Sequence, residues 1–199
     1  MDWIKPSHEI LDKVDAREIM LKLELCGRTA YKSEDKITQG SAEKFIRAIV
    51  DRGHESVIEH VNLSVRFTCD RGVTHELVRH RLVAYTQEST RYCNYSKRGM
   101  TFIEPPWGYD ADDKDFLILV ERQYDRKIAQ GCSPQQARYF LPNGLKTEVV
   151  ATANLREWRH ILKLRTAKAA HPQMRELMLP LLAELKETLP AIFGDIDVA

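Results

Sequence analysis

No stretch of this 199-residue chain approaches the roughly 20 apolar residues that a membrane-spanning helix needs. The opening MDWIKPSHEILDKVD also lacks the apolar run of a secretory signal. The four cysteines, Cys26, Cys69, Cys93 and Cys132, are scattered, with no Cys-x-x-Cys pair. Neither a zinc site nor a disulfide framework is indicated. Free thiols in a reducing cytoplasm are expected, with no metal. Formal net charge is only +1, so no global field recruits nucleic acid or membrane. Any anion site must therefore be a local cluster. Neither G-x-G-x-x-G nor G-x-x-x-x-G-K-S/T occurs. A bound nucleotide or flavin would not use a Rossmann or P-loop cradle. Internal repeats, low-complexity segments and long linkers are missing too, which leaves one domain over residues 1–199.

What is present is an ordinary soluble composition, 43% hydrophobic and 30% charged, in a chain long enough for a real core. The first clear helix is Ser41 to Arg52, with Ser41 as cap and Phe45, Ile46, Ile49 and Val50 as its stripe. In VNLSVRFTC, Val61, Leu63, Val65, Phe67 and Cys69 alternate with polar residues, the period of a half-buried strand. Asp70-Arg71-Gly72 reads as a turn, Thr74 to Leu82 as a helix that Thr74 can cap, and Ala84 to Ser96 as an extended loop. Further helices are expected over Asp115–Gln130, from Ser133-Pro134 to Leu141, from the Asn154 cap through Leu162, and from His171-Pro172 to about Leu189. Leu145 to Ala151 can be a strand. The expected class is α+β: a mainly helical single domain with an antiparallel sheet.

Arg79, His80 and Arg81 stand side by side, and Arg91 follows with Ser89 and Tyr92 beside it. Consecutive helical positions face different directions, so one short segment can present cations to two ligands. Arginine binds phosphate through planar, bidentate contacts that lysine cannot copy. A bare Arg-His-Arg is more often a solvated basic face. A second reading makes Arg79 to Arg98 the basic loop of a nucleic-acid-binding protein, with Tyr85, Tyr92 and Tyr95 for stacking. Glu76 and Glu88 interrupt that stripe.

The wider pattern is similar to the flavin-dependent thymidylate synthases. Arg-His-Arg, seven residues, Ser89, then x-Arg91-Tyr92 resembles their motif. His54-Glu55-Ser56 with Glu59-His60 resembles the H-E-[ST]-x-x-E-H segment that they carry before a strand. Ala137-Arg138 before Leu141-Pro142, Asn154-Leu155-Arg156 and Leu164-Arg165 resemble their later positions, in the same order. Ala84, Thr86, Glu76 and Ala170-His171-Pro172-Gln173 depart from the common pattern.

The resemblance implies methylation of deoxyuridine monophosphate (dUMP) to thymidine monophosphate. Methylenetetrahydrofolate would give the carbon, and FAD reduced by NADPH the hydride, with no cysteine nucleophile. It implies dUMP contacts at Glu76, Arg79, Gln87, Glu88, Ser89, Thr90, Arg91, Arg138 and Arg165. Arg165 would be catalytic, hydrogen-bonding the uracil and favouring loss of its N3 proton. Flavin contacts would be Ser56, Arg79, His80, Arg81, Gln87, Asn154, Arg156 and His160. A homotetramer with active sites shared between subunits is implied as well. Arg156 and His160 could otherwise be a solvated helix side with Arg159 and Lys163, and His54 with Glu59 a local hydrogen-bonded turn. His171 reads as a helix start. A flavoprotein of another reaction, such as a reductase, is the third reading.

Overall fold

Alternation in the sequence places the two long strands. In the computed structural model, which describes Met1 to Val198, inward residues of Asn62–Asp70 and Lys146–Asn154 are buried at every second position. The chain runs β1 (Asp2–Ile4), β2 (Ser7–Ile10), α1 (Ala16–Thr29), α2 (Ser41–Asp51), β3 (Asn62–Asp70), α3 (Arg71–Leu77) and β4 (Ala84–Gln87). It continues as β5 (Thr101–Ile103), α4 (Ala111–Ala129), α5 (Pro134–Ala137), β6 (Lys146–Asn154), α6 (Leu155–Arg165), α7 (Pro172–Thr188) and α8 (Pro190–Phe193). Four strands form one sheet in the order β2-β3-β6-β4. Leu11 N donates to Ser64 O while Glu9 pairs with Arg66, so β2 and β3 are antiparallel. Leu155 N donates to Val61 O while Thr152 pairs with Ser64, so β3 and β6 are too. The separate pair β1·β5 is parallel, with Trp3 opposite Phe102. The α+β expectation holds, with this parallel pair added. Among the described residues no helix is long and apolar enough to cross a membrane.

Several boundaries differ from the sequence expectation. Asp70-Arg71-Gly72 is not a turn: Asp70 ends β3 and caps α3, its Oδ1 accepting from Val73 N at 2.8 Å. Helix α3 stops at Leu77, because Val78 and Leu82 are exposed and no core holds them helical. The segment after Ala84 is not all loop, since β4 pairs with β6. Gly40, at φ +82°, takes the cap of α2 in place of Ser41. The Asp110/Asp113 capping box starts α4 at Ala111, four residues earlier than its apolar stripe suggests. Helix α1 is not among the expected helices, although Met20, Leu23 and Gly27 line its buried side; exposed Leu21 and Leu25 put apolar residues on its outer side as well. Its close approach to α2 depends on Gly27, where a Cβ would lie 2.7 Å from the Phe45 ring.

The chain divides into two compact units. The first comprises Met1–Glu9, Arg66–His80 and Tyr85–Val150. Its core is Met100, Phe102, Leu117, Tyr124, Ala137 and Leu145, and Trp3 stacks on Phe102 at 5.5 Å. The second comprises Ile10–Val65, Arg81–Ala84 and Ala151–Ala199. There α1, α2, α6, α7 and α8 pack on one another. Leu23, Ile46, Trp158, Ile161, Leu177 and Phe193 are buried, and Trp158 Nε1 donates to Leu63 O at 2.9 Å.

Candidate active site

In the first unit, β4 and α3 carry the nucleotide-side candidates. Tyr85 OH donates to Leu77 O at 2.6 Å and ties the end of α3 to β4. Gln87 ends β4, and its Nε2 donates inward to Thr74 Oγ1 at 3.0 Å and Thr147 Oγ1 at 3.3 Å. Arg71 Nη1 donates to the same Thr147 hydroxyl at 3.3 Å and to Glu88 O at 3.4 Å. Glu88 N donates to Glu148 O at 2.8 Å. The backbone that leads into Ser89-Thr90-Arg91 is therefore fixed from both sides.

Past that point the donors gather. Ser89 Oγ accepts from Arg91 N at 3.3 Å, and Arg91 lies over the Tyr92 ring at 5.5 Å. Thr90 is buried, and its hydroxyl accepts from Arg138 Nη1 at 3.4 Å. Arg138 thus joins the segment from 48 residues away in sequence. Arg79 is exposed just beyond α3, and Glu76 is half-buried within it. His80 is buried. Glu88 does not present a free carboxylate: Tyr95 OH donates to Oε1 at 2.8 Å and Lys146 Nζ pairs with Oε2 at 3.2 Å.

A cavity of about 870 Å³ opens on this side of the first unit, with Arg66, Glu88, Tyr95, Arg98, Lys146 and Glu148 in its wall. Burial opposes the charge of Lys146, but the hydrogen bonds and charges of Glu148 and Glu88 outweigh it and hold the ammonium above its ordinary pKa. The hydrogen bond from Lys146 holds Glu148 below the usual carboxylate range. Burial, reinforced by Glu88, pushes the Tyr95 phenol up, so it stays a donor. Of the three tyrosines considered for stacking, Tyr85 and Tyr95 are half-buried and hydrogen-bonded, and Tyr92 is exposed.

In the second unit Asn154, Arg156 and His160 lie along the first turns of α6, and Ser56 lies in the short helical segment before β3. Asn154 caps that helix, as expected, with Oδ1 accepting from Glu157 N at 2.9 Å. Its amide NH₂ faces no such demand and remains a donor. Arg156 is half-exposed and pairs with Glu59 at 2.5 Å and, more loosely, with Glu55 at 4.0 Å. Glu59 therefore pairs with α6, not in a turn with His54. Ser56, Arg81 and His160 are exposed, and Arg165 is half-buried in the last turn of α6. The exposed Arg81 guanidinium, His160 imidazole and Ser56 hydroxyl, with the half-buried Asn154 amide, are donors of the kind a dinucleotide pyrophosphate requires, so this set fits a flavin cofactor. Arg159 is not on a solvated helix side. It is buried, and binds Glu55 at 2.9 Å, Asp195 at 2.5 Å and the Ile192 carbonyl. His171 caps α7, as expected.

Sequence reasoning missed Arg71, Thr74, Thr147, Tyr95 and Lys146 as supports of the 87–91 segment. Lys146 and Thr147 lie on the alternating faces of β6, and that alternation was the one signal that could have shown them. Among the cysteines, Cys69 is fully buried and its thiol is pushed up by that burial, which leaves it unreactive.

The family model described as thymidylate synthase complementing protein (Thy1) matches residues 11–191. The flavin-dependent thymidylate synthase of Mycobacteroides abscessus is 31% identical over 202 residues, 89% of this chain and 79% of that protein. The enzyme of the same name from Mycobacterium avium is 33% identical over 201 residues, with the same shares covered. A UMP/dUMP methylase of Streptomyces cacaoi, PolB, solved with 5-Br dUMP bound, has the same fold. Its TM-score is 0.78 at 22% identity, over 98% of this chain and 96% of that one. With a family match over nearly the whole chain and relatives above 30% identity along most of it, this chain belongs to the flavin-dependent thymidylate synthase family.

Proposed function

We propose that the protein converts dUMP to thymidine monophosphate, with methylenetetrahydrofolate as carbon donor and NADPH as reductant. The observation that carries this is the fixed segment Gln87–Arg91 with Arg138 tied to Thr90. It is a small, preformed group of guanidinium and hydroxyl donors suited to a phosphate monoester. Arg79, Ser89, Arg91 and Arg138 hold the nucleotide, with Gln87, Glu88 and Thr90 as the frame and Glu76 beside it. Arg165 hydrogen-bonds the pyrimidine and stabilises the anion that forms on loss of its N3 proton. Ser56, His80, Arg81, Asn154, Arg156 and His160 hold FAD, with Arg79 and Gln87 contributing. When bound, that flavin supplies the hydride which completes the new methyl group.

Residues 1–199 act as one domain in this reading, and the enzyme works in the cytoplasm. The nucleic-acid reading is weaker, since Tyr85 and Tyr95 are half-buried with their hydroxyls tied to Leu77 and Glu88, which leaves only Tyr92 of the three exposed. The test is direct. Purified protein should carry a flavin spectrum that NADPH bleaches and dUMP perturbs, and should form thymidine monophosphate only when methylenetetrahydrofolate is present. A colourless protein that binds oligonucleotides and not dUMP would overturn the assignment. The subunits assemble as a homotetramer with shared active sites, which sedimentation addresses.

A further inference from the structure

Glu88 lies in the middle of a segment assigned to a dianionic ligand, where an unpaired carboxylate would repel phosphate. It is instead held at four points. Its backbone N donates to Glu148 O at 2.8 Å and its backbone O accepts from Arg71 at 3.4 Å. Its two carboxylate oxygens accept from Tyr95 OH at 2.8 Å and Lys146 Nζ at 3.2 Å. The side-chain partners come from opposite directions: Tyr95 from the short helical turn after the segment, Lys146 from the first residue of β6. All three line the same cavity wall. Glu148 shares Lys146 at 2.7 Å, so the ammonium bridges two carboxylates.

We propose that Lys146 and Tyr95 are positioning residues for the nucleotide segment. By neutralising the Glu88 carboxylate and turning it into the cavity, they leave Ser89 and Arg91 to meet a phosphate monoester without a competing anion. This rests on the proposed function for the identity of the nucleotide. The holding of the segment itself does not depend on it. Neither residue touches the substrate in this account, since each acts through Glu88. Lys146 stays charged throughout the neutral range, because its carboxylate partners raise its pKa.

The experiment compares Lys146→Met, Lys146→Arg and Tyr95→Phe with the wild-type holoenzyme. A lost charge-assisted hydrogen bond on this carboxylate should raise KM for dUMP about tenfold in Lys146→Met, with kcat kept within about twofold. Lys146→Arg should return KM to within about threefold, because charge and reach are restored. Without any ligand, backbone amides of residues 87–93 should exchange about tenfold faster in Lys146→Met and Tyr95→Phe, with α4 and α7 unchanged. Tyr95→Phe keeps the test open should Lys146→Met fail to fold. Wild-type KM and wild-type exchange in either folded variant would overturn the proposal, as would a loss that falls on kcat alone. If wild-type protein does not bind dUMP, the substrate assignment fails, while the exchange measurement still decides whether the clamp holds the segment.

Discussion

At the residue scale, the side chains expected to touch ligand separate into those that point outward and those that serve as frame. Arg91, Arg138 and Arg79 are exposed and remain available to an anion. Gln87 and Glu88 are turned onto Thr74, Thr147, Tyr95 and Lys146. Residue type and motif register made all five legible as a site, yet the direction of each side chain was hidden. The partners that decide it lie up to 60 residues away and meet it only across β4 and β6. Arg165 carries the chemical prediction. A preorganised donor at a developing anion is worth about 10²–10³ in kcat, so Arg165→Ala should lose that much turnover while FAD remains bound. Single-turnover measurement of thymidine monophosphate checks this, and near-normal kcat would remove Arg165 from its role.

At the element scale, α6 shows how local and tertiary information divide. Its start was readable, because Asn154 is a good cap and Leu155, Trp158, Ile161 and Leu162 share a face. Its cations were not readable by type. Arg156, Arg159 and Lys163 follow helical spacing, but Arg159 alone is buried, gripping Glu55 and the Asp195 carboxylate that follows α8. Removing it strands the buried Ile192 carbonyl and takes from Asp195 and Glu55 their nearest cation, leaving Glu55 only the looser Arg156 and Lys163. Arg159→Met should therefore cost about 3 kcal/mol by chemical denaturation and speed amide exchange in the segment around Asp195. Acid should expose the same link. The hydrogen bond from Arg159 holds the Asp195 carboxyl below its ordinary range. A depressed carboxyl contributes stability that is present above its unfolded pKa of about 3.9 and is lost as pH falls through the folded value. The denaturation midpoint should fall below about pH 4, and less steeply in Asp195→Asn; identical acid profiles for the two proteins would deny the link.

At the scale of the whole molecule, large apolar side chains remain outside. Trp107, Phe116, Leu119 and Tyr139 are each more than half exposed. Apolar groups scattered over a surface are ordinary in themselves, so the proposed tetramer is decided by mass and not by their number. Sedimentation at micromolar concentration should give the mass of four 23.0 kDa subunits, and a monomer alone would end that proposal. The sequence by itself determined the α+β class, the long strands, most helices and the family, because periodicity, caps and motif register are local and survive without neighbours. The stretch Arg79 to Tyr92 was visible as a cation cluster in the same way. Tertiary structure alone decided which carboxylates are free and which are spent. A charge is neutralised by whatever the fold brings within about 4 Å, and spacing along the chain does not set that distance. It made Glu88 part of a clamp, Glu59 the partner of Arg156, and Arg159 a buried tie.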